Sequence, residues 1–207
     1  MDWRRDIDRL FPDLEDEQWK RLERLQSIYE EWNQRLNLIS RKDFEHFMVR
    51  HVLHSLSIGY HMDLSNAQIL DVGAGGGFPG IPLAILFPSA DFIMMDSIRK
   101  KVLAMDAIKD ELGLGNVQCI HRRVEESEVN VDFVTGRAVT ALPRFYQWVS
   151  NRVRWERGEG KSGILYLKGG DFYEELGSIP KKQKVWSISE IIADPFFETK
   201  KLIYLYE

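Results

Sequence analysis

Cysteine is nearly absent: Cys119 is the only one in 207 residues. That excludes an internal disulfide and any site built on a cysteine pair. Cys119 lies in Asn116-Val117-Gln118-Cys119-Ile120, which reads as a buried strand, so it is expected to be a packing thiol. Long apolar runs are missing too. None approaches the roughly 18 residues of a membrane-spanning helix, and residues 1–6 lack the apolar core of a secretory leader. A soluble, cytoplasmic, monomeric protein without membrane contact is expected. His46, His51 and His54 have no carboxylate or cysteine partners at ligand spacing, so no metal is expected. Repeats and low-complexity segments are also absent.

The formal net charge is −4, an unpromising total for a nucleic-acid partner until it is divided along the chain. Residues 1–31 hold ten acidic and six basic side chains and so account for all of it. Residues 137–168 carry seven basic side chains (Arg137, Arg144, Arg152, Arg154, Arg157, Lys161 and Lys168) against Glu156 and Glu159. A local basic face neutralises phosphates whatever the total charge. A solvated helix face is the competing reading of the same run.

Trp19, Leu22, Leu25, Ile28, Tyr29, Trp32 and Leu36 recur every three or four residues, which predicts an amphipathic helix over 15–36. A shorter helix over 3–10 precedes it and another covers 43–60. Residues 1–62 thus read as a helical extension packed on a second part, 63–207. From Gln68 onward the pattern changes to short apolar runs alternating with helical segments, which predicts a mostly parallel sheet with helices on both faces. The expected strands are 69–72, 91–95, 116–121, 131–135 and 163–167, and the expected helices are 80–87, 99–112 and 142–153. Two further strands, 184–189 and 202–206, end the chain, the last of them antiparallel.

The stretch Asp71-Val72-Gly73-Ala74-Gly75-Gly76-Gly77-Phe78-Pro79-Gly80 joins the first of these strands to its helix. Such a turn sets bare N–H groups and a helix start against a ligand, and glycine permits the close approach. The spacing of Asp71, Gly73, Gly75 and Gly77 favours S-adenosylmethionine, because a carboxylate attracts a sulfonium and an ammonium and repels a pyrophosphate. A second register, Gly75 to Gly80, also satisfies the G-x-G-x-x-G pattern of dinucleotide sites. A nicotinamide-dependent oxidoreductase therefore stays open, as does a glycine turn with only a structural role. Asp96 ends the second strand, where an acidic residue faces ribose hydroxyls; capping the following helix is its alternative.

Ligands of open α/β sheets sit beyond the carboxyl ends of the strands. Val124 and Glu125 are placed there to flank an adenine, although Glu125 also suits a helix first turn. Methylating an exocyclic amine goes with an Asn/Asp-Pro-Pro-aromatic loop after the fourth strand, where this chain reads Thr135-Gly136-Arg137-Ala138. Carbon-5 methylation needs a cysteine nucleophile, and Cys119 lies within a strand. Guanine N7 has a free lone pair and needs mainly alignment. Arg137 would orient a carboxylate, the guanine O6 or a phosphate, or else belong to a structural ion pair. Arg50, His51, Arg123, Arg144 and Lys168 form the predicted RNA-binding surface around the cofactor mouth.

Several segments occur together and in order. They are Asn37-Leu38-Ile39-Ser40, Arg50-His51 with Ser55-Leu56, the glycine turn continuing into Gly77-Phe78-Pro79-Gly80-Ile81-Pro82, Asp96-Ser97 with Lys100-Lys101, Arg123-Val124-Glu125-Glu126, Arg137-Ala138 and Leu167-Lys168-Gly169. With them the chain resembles the RsmG family, also called glucose-inhibited division protein B. The resemblance implies a Rossmann-like class I S-adenosylmethionine-dependent methyltransferase that makes 7-methylguanosine in bacterial 16S ribosomal RNA, with that RNA or the small ribosomal subunit as partner. It implies cofactor contacts at Gly73, Phe78, Val124, Glu125 and Arg137; Arg137 is also the expected catalytic residue, from its place after the fourth strand. One departure is His54, which stands where an aspartate of the family is expected. A non-catalytic RNA-binding or assembly factor is the competing function.

Overall fold

The structure, a computed structural model, describes residues 2–207. Seven strands form one sheet in the order β3-β2-β1-β4-β5-β7-β6. They are β1 (Gln68–Val72), β2 (Asp91–Asp96), β3 (Val117–His121), β4 (Phe133–Arg137), β5 (Gly163–Gly169), β6 (Lys182–Ser187) and β7 (Lys200–Tyr206). The first five pair in parallel, while β7 runs antiparallel to both β5 and β6. The strand order reverses between β1 and β4, and that switch point is where such sheets open a crevice at their carboxyl edge.

Burial on both faces explains the apolar strands. Ile69, Phe92, Met94, Phe133 and Leu165 point into one core, and Leu70, Val72, Met95, Val134 and Ile164 into the other. The first face is covered by α1 (Trp3–Leu10), α2 (Asp16–Arg35), α3 (Arg41–Phe44), α4 (His54–His61), α5 (Gly80–Leu86) and α6 (Arg99–Glu111); the second by α7 (Leu142–Val149) and α8 (Tyr173–Gly177). A capping box between Glu15 and Gln18 starts α2, and its stripe of Leu22, Leu25, Ile28 and Tyr29 is buried in the same core as the sheet. Each such aliphatic side chain contributes about 1.5–3 kcal/mol. Gln18 also donates to the Ile85 and Leu86 carbonyls at 3.0 and 2.9 Å, satisfying the end of α5. No described helix is long and apolar enough to cross a membrane.

The helix expected over 43–60 is divided. Ser40 caps α3 by accepting from the Asp43 N–H, a turn follows, and Met48–Leu53 is a π-helical segment that runs into α4. The helix expected over 142–153 stops at Val149, because a 3-10 turn at Ser150–Arg152 swings Val153 into a parallel bridge with Val131. That bridge removes Val131 from β4. The strand then begins at Phe133, in register with Ile69 and Gly163, and extends to Arg137. β6 begins at Lys182, two residues before the expected start, because β7 pairs with it from Tyr206 back to Lys201.

Candidate active site

At the carboxyl edge the glycine turn folds against the end of β2. The N–H groups of Gly73 and Ala74 donate to the Met95 carbonyl at 2.9 and 3.1 Å. Gly73, Gly75 and Gly77 have φ of 65°, 59° and 97°, the region where a side chain is strained. Space forbids one as well: a Cβ on Gly77 would lie 2.7 Å from the Tyr29 hydroxyl and 2.8 Å from Ile81. That hydroxyl donates to the Gly76 carbonyl at 2.6 Å, so α2 braces the turn from 47 residues away. The periodicity of α2 marks Tyr29 as core only, and nothing in the sequence announces its hydrogen bond.

Two carboxylates fix the turn. Asp96 is buried and accepts from Gly75 N–H at 2.9 Å and from Ile98 N–H at 2.8 Å. It joins the glycine turn to the approach of α6; the cap position itself is Ile98, which lends no side chain. Asp71 turns inward. Fully buried, it accepts from the Gly80 N–H at 2.9 Å and so holds the start of α5. Burial pushes its pKa up to about 7, opposed by the Gly80 N–H. The carboxylate expected to face a sulfonium is therefore directed into the protein.

A cleft of about 300 Å³ opens at the switch point. Of the residues expected to bind a cofactor or RNA, it brings together Gly73, Asp96, Arg123, Val124 and Glu125. Lys101, Ile98 and Trp148 line it as well and were not anticipated, since a tryptophan or lysine within a helical pattern carries no ligand signal. The guanidinium of Arg144 lies 5.1 Å from the Trp148 ring centroid, so Arg144 supports one wall.

Gly75 and Gly77 are in the turn, while Phe78, His51, Arg50 and Arg137 gather beside it. The Arg137 guanidinium sits 5.1 Å from the Phe78 ring centroid and donates to the Arg50 carbonyl at 3.2 Å. Its Nη2 lies 2.9 Å from His51 Nδ1; because guanidinium is only a donor, His51 accepts through Nδ1 and is neutral. Burial and then the Arg137 charge lower the His51 pKa to about 3. Among the described residues no carboxylate lies within 4.0 Å of Arg137, and burial brings its own pKa down to about 10, with Asp71 opposing. Arg50 is paired with Asp43 at 3.1 Å.

The basic stretch 137–168 is not one face. Arg154 and Arg157 hold the buried Asp132 at 3.2 and 3.0 Å, just ahead of β4 and thus at the opposite edge of the sheet. Lys168 is bound to Glu175 at 2.8 Å, which also accepts from the Leu142 N–H at the start of α7. His54 is buried with its ring edge-on to Phe196 and Phe197 and is absent from the cleft. Burial holds its pKa well below the usual imidazole range.

A profile of the family described as GidB, rRNA small subunit methyltransferase G, matches residues 18–201. The chain belongs to that family. A relative of the same name from Flavobacterium psychrophilum is 46% identical over 197 residues, spanning 94% of each chain. Another, from Christiangramia forsetii, is 44% identical over 201 residues, 96% of this chain and 95% of the other. The fold is also that of a SAM-dependent O-methyltransferase from Thermotoga maritima, with a TM-score of 0.58 at 15% identity over 73% of this chain and 64% of that one. Family membership agrees with the order of the segments from Asn37 to Gly169, and the Rossmann-like sheet agrees with the alternation of strands and helices.

Proposed function

We propose that the protein transfers a methyl group from S-adenosylmethionine to N7 of a guanosine in bacterial 16S ribosomal RNA, in the cytoplasm and as a monomer. The observation that carries the reading is the cleft at the switch point, where Gly73 of the positive-φ glycine turn, Asp96, Val124 and Glu125 converge beside a half-buried Arg137 that has no carboxylate partner among the described residues.

Those residues suit the cofactor. Gly73, at positive φ with a Cβ position only 3.0 Å from Val139, leaves its stretch of the cleft wall as bare backbone, and the Asp96 oxygens, each with a lone pair left after its backbone bond, accept ribose hydroxyls. Buried Val124 offers an apolar surface to adenine, and Glu125 at the rim accepts from its amino group. Arg137 supplies the positive partner for the amino-acid carboxylate. When bound, S-adenosylmethionine supplies an electrophilic methyl group.

What the chain adds is alignment and exclusion. Phe78 and Arg137 wall the end of β4, where the O6 of an incoming guanine accepts from a guanidinium N–H. The surrounding groups are poor proton acceptors: the His51 Nδ1 is occupied by Arg137 and Asp71 is sealed away. Burial pushes the Cys119 thiol up to about 12, which removes a thiolate nucleophile. A lone-pair nucleophile such as guanine N7 needs neither base nor thiolate. The test is incubation with methyl-labelled S-adenosylmethionine and small subunits, or their RNA, from cells lacking the gene. One labelled guanosine that cleaves as 7-methylguanosine is expected; label on another atom, or none, overturns the reading.

A further inference from the structure

A helix that begins with cations is arranged against its own dipole. Arg99, Lys100 and Lys101 fill the first turn of α6, which contains no acidic residue. Beside them, after β3, stand Arg122 and Arg123. The two segments are tied together: the Arg122 N–H donates to the Asp96 carbonyl at 3.1 Å, and His121 Nε2 lies 3.1 Å from the Ser97 carbonyl. Arg99, Lys100, Arg122 and Arg123 are exposed, and Lys101 is half-buried at the cleft. None of these five takes part in an ion pair among the described residues, whereas Arg50, Arg154, Arg157 and Lys168 all do. Ile98, 42% exposed, sits among them as an apolar contact.

We infer that this rim, formed by Arg99, Lys100, Lys101, Arg122 and Arg123, is the track that holds the phosphates of the substrate RNA beside the cofactor cleft. The inference rests on the RNA-methyltransferase reading above and moves the main electrostatic contact away from Lys168, which is paired with Glu175 within the protein. Unpaired cations whose placement opposes the helix dipole release counterions when a polyanion binds, without first breaking an ion pair. The exposed Ile98 meets the sugar or base faces between phosphates, a contact that a free phosphate does not make.

The test is the double variant Arg99→Gln/Lys100→Gln, because neither side chain lines the cleft. Its affinity for S-adenosylhomocysteine by calorimetry stays within twofold of wild type. Affinity for small-subunit RNA falls, and the slope of log affinity against log salt drops by about 1.4–1.8 for two lost phosphate contacts. KM for RNA rises while kcat holds. A control double variant at the distant Lys20 and Lys161, each changed to Gln, leaves the slope unaltered. An unchanged slope and KM in the Arg99/Lys100 variant, with wild type active, overturns the rim. Wild-type protein that neither binds nor methylates RNA overturns the underlying reading instead.

Discussion

Replacing Arg137 with methionine separates a binding role from a structural one. The guanidinium is half-buried with two neutral partners, the Arg50 carbonyl and His51 Nδ1, and has no carboxylate partner among the described residues. Burial lowers its pKa from 12.5 to about 10, which corresponds to about 3 kcal/mol of unrelieved charge burial at 1.36 kcal/mol per pKa step. An anionic ligand group recovers much of that, and a charge-assisted hydrogen bond is worth about 1.5–3 kcal/mol. Arg137→Met keeps an apolar stem over Phe78 and removes the charge. The expected result is a thermal midpoint within about 3 °C of wild type, because lost hydrogen bonds and lost charge burial offset each other. Affinity for S-adenosylhomocysteine falls by about 10- to 150-fold at about 1.4 kcal/mol per decade, measured by calorimetry, and methyl transfer fails. A variant that binds the nucleoside as wild type does but unfolds many degrees earlier would refute the reasoning and make Arg137 a structural arginine.

Gly77→Ala imposes a Cβ at φ 97° and overlaps the Tyr29 hydroxyl and Ile81. Strain plus overpacking should cost about 2–4 kcal/mol, a midpoint drop of roughly 5–15 °C by calorimetry. Tyr29→Phe removes only the bond to the Gly76 carbonyl and costs about 1 kcal/mol, with a weakening of cofactor binding that a mere core defect elsewhere on α2, such as Leu25→Ala, does not produce. Asp71 has a folded pKa of about 7 against 3.8. The wild type therefore loses stability from this group as pH rises from about 4 through 7, by at most about 4 kcal/mol. Asp71→Asn should gain on the wild type across that window in urea melts and hold a constant difference above about pH 8. His51, its pKa lowered to about 3, acts in the opposite sense: its contribution is complete above 6.5 and declines as pH falls below that, which is why the two proteins are compared at each pH.

The sheet was legible because strands covered on both faces are apolar at every position, so runs such as Ile69-Leu70 and Phe92-Ile93-Met94-Met95 stand out against helical spacing. The glycine turn was legible because bare backbone leaves a signature in residue type. Direction and partnership were not. Periodicity says that Tyr29 faces inward but cannot say that its hydroxyl meets Gly76. Counting charge over 137–168 cannot reveal that Arg154 and Arg157 are held by Asp132 at the far edge, since a run of sequence that climbs β5 visits both ends of the sheet. The π-helical turn that sets Arg50 and His51 beside Arg137 has no compositional mark either.

The same distinction explains why two acidic residues that look like ligands in the sequence work first on the backbone. A turn with three positive-φ glycines is entropically expensive to order, and its N–H groups would be costly to bury unpaired. Asp96 takes those of Gly75 and Ile98, and Asp71 takes that of Gly80, while Tyr29 takes the Gly76 carbonyl from the other side. The loop is thereby held in its binding shape before any ligand arrives, so little ordering remains to be done on association. Carboxylates beside such a turn follow from the need to fix it as much as from the charge of what it binds, and Asp96, at the cleft, is the one placed to serve both ends.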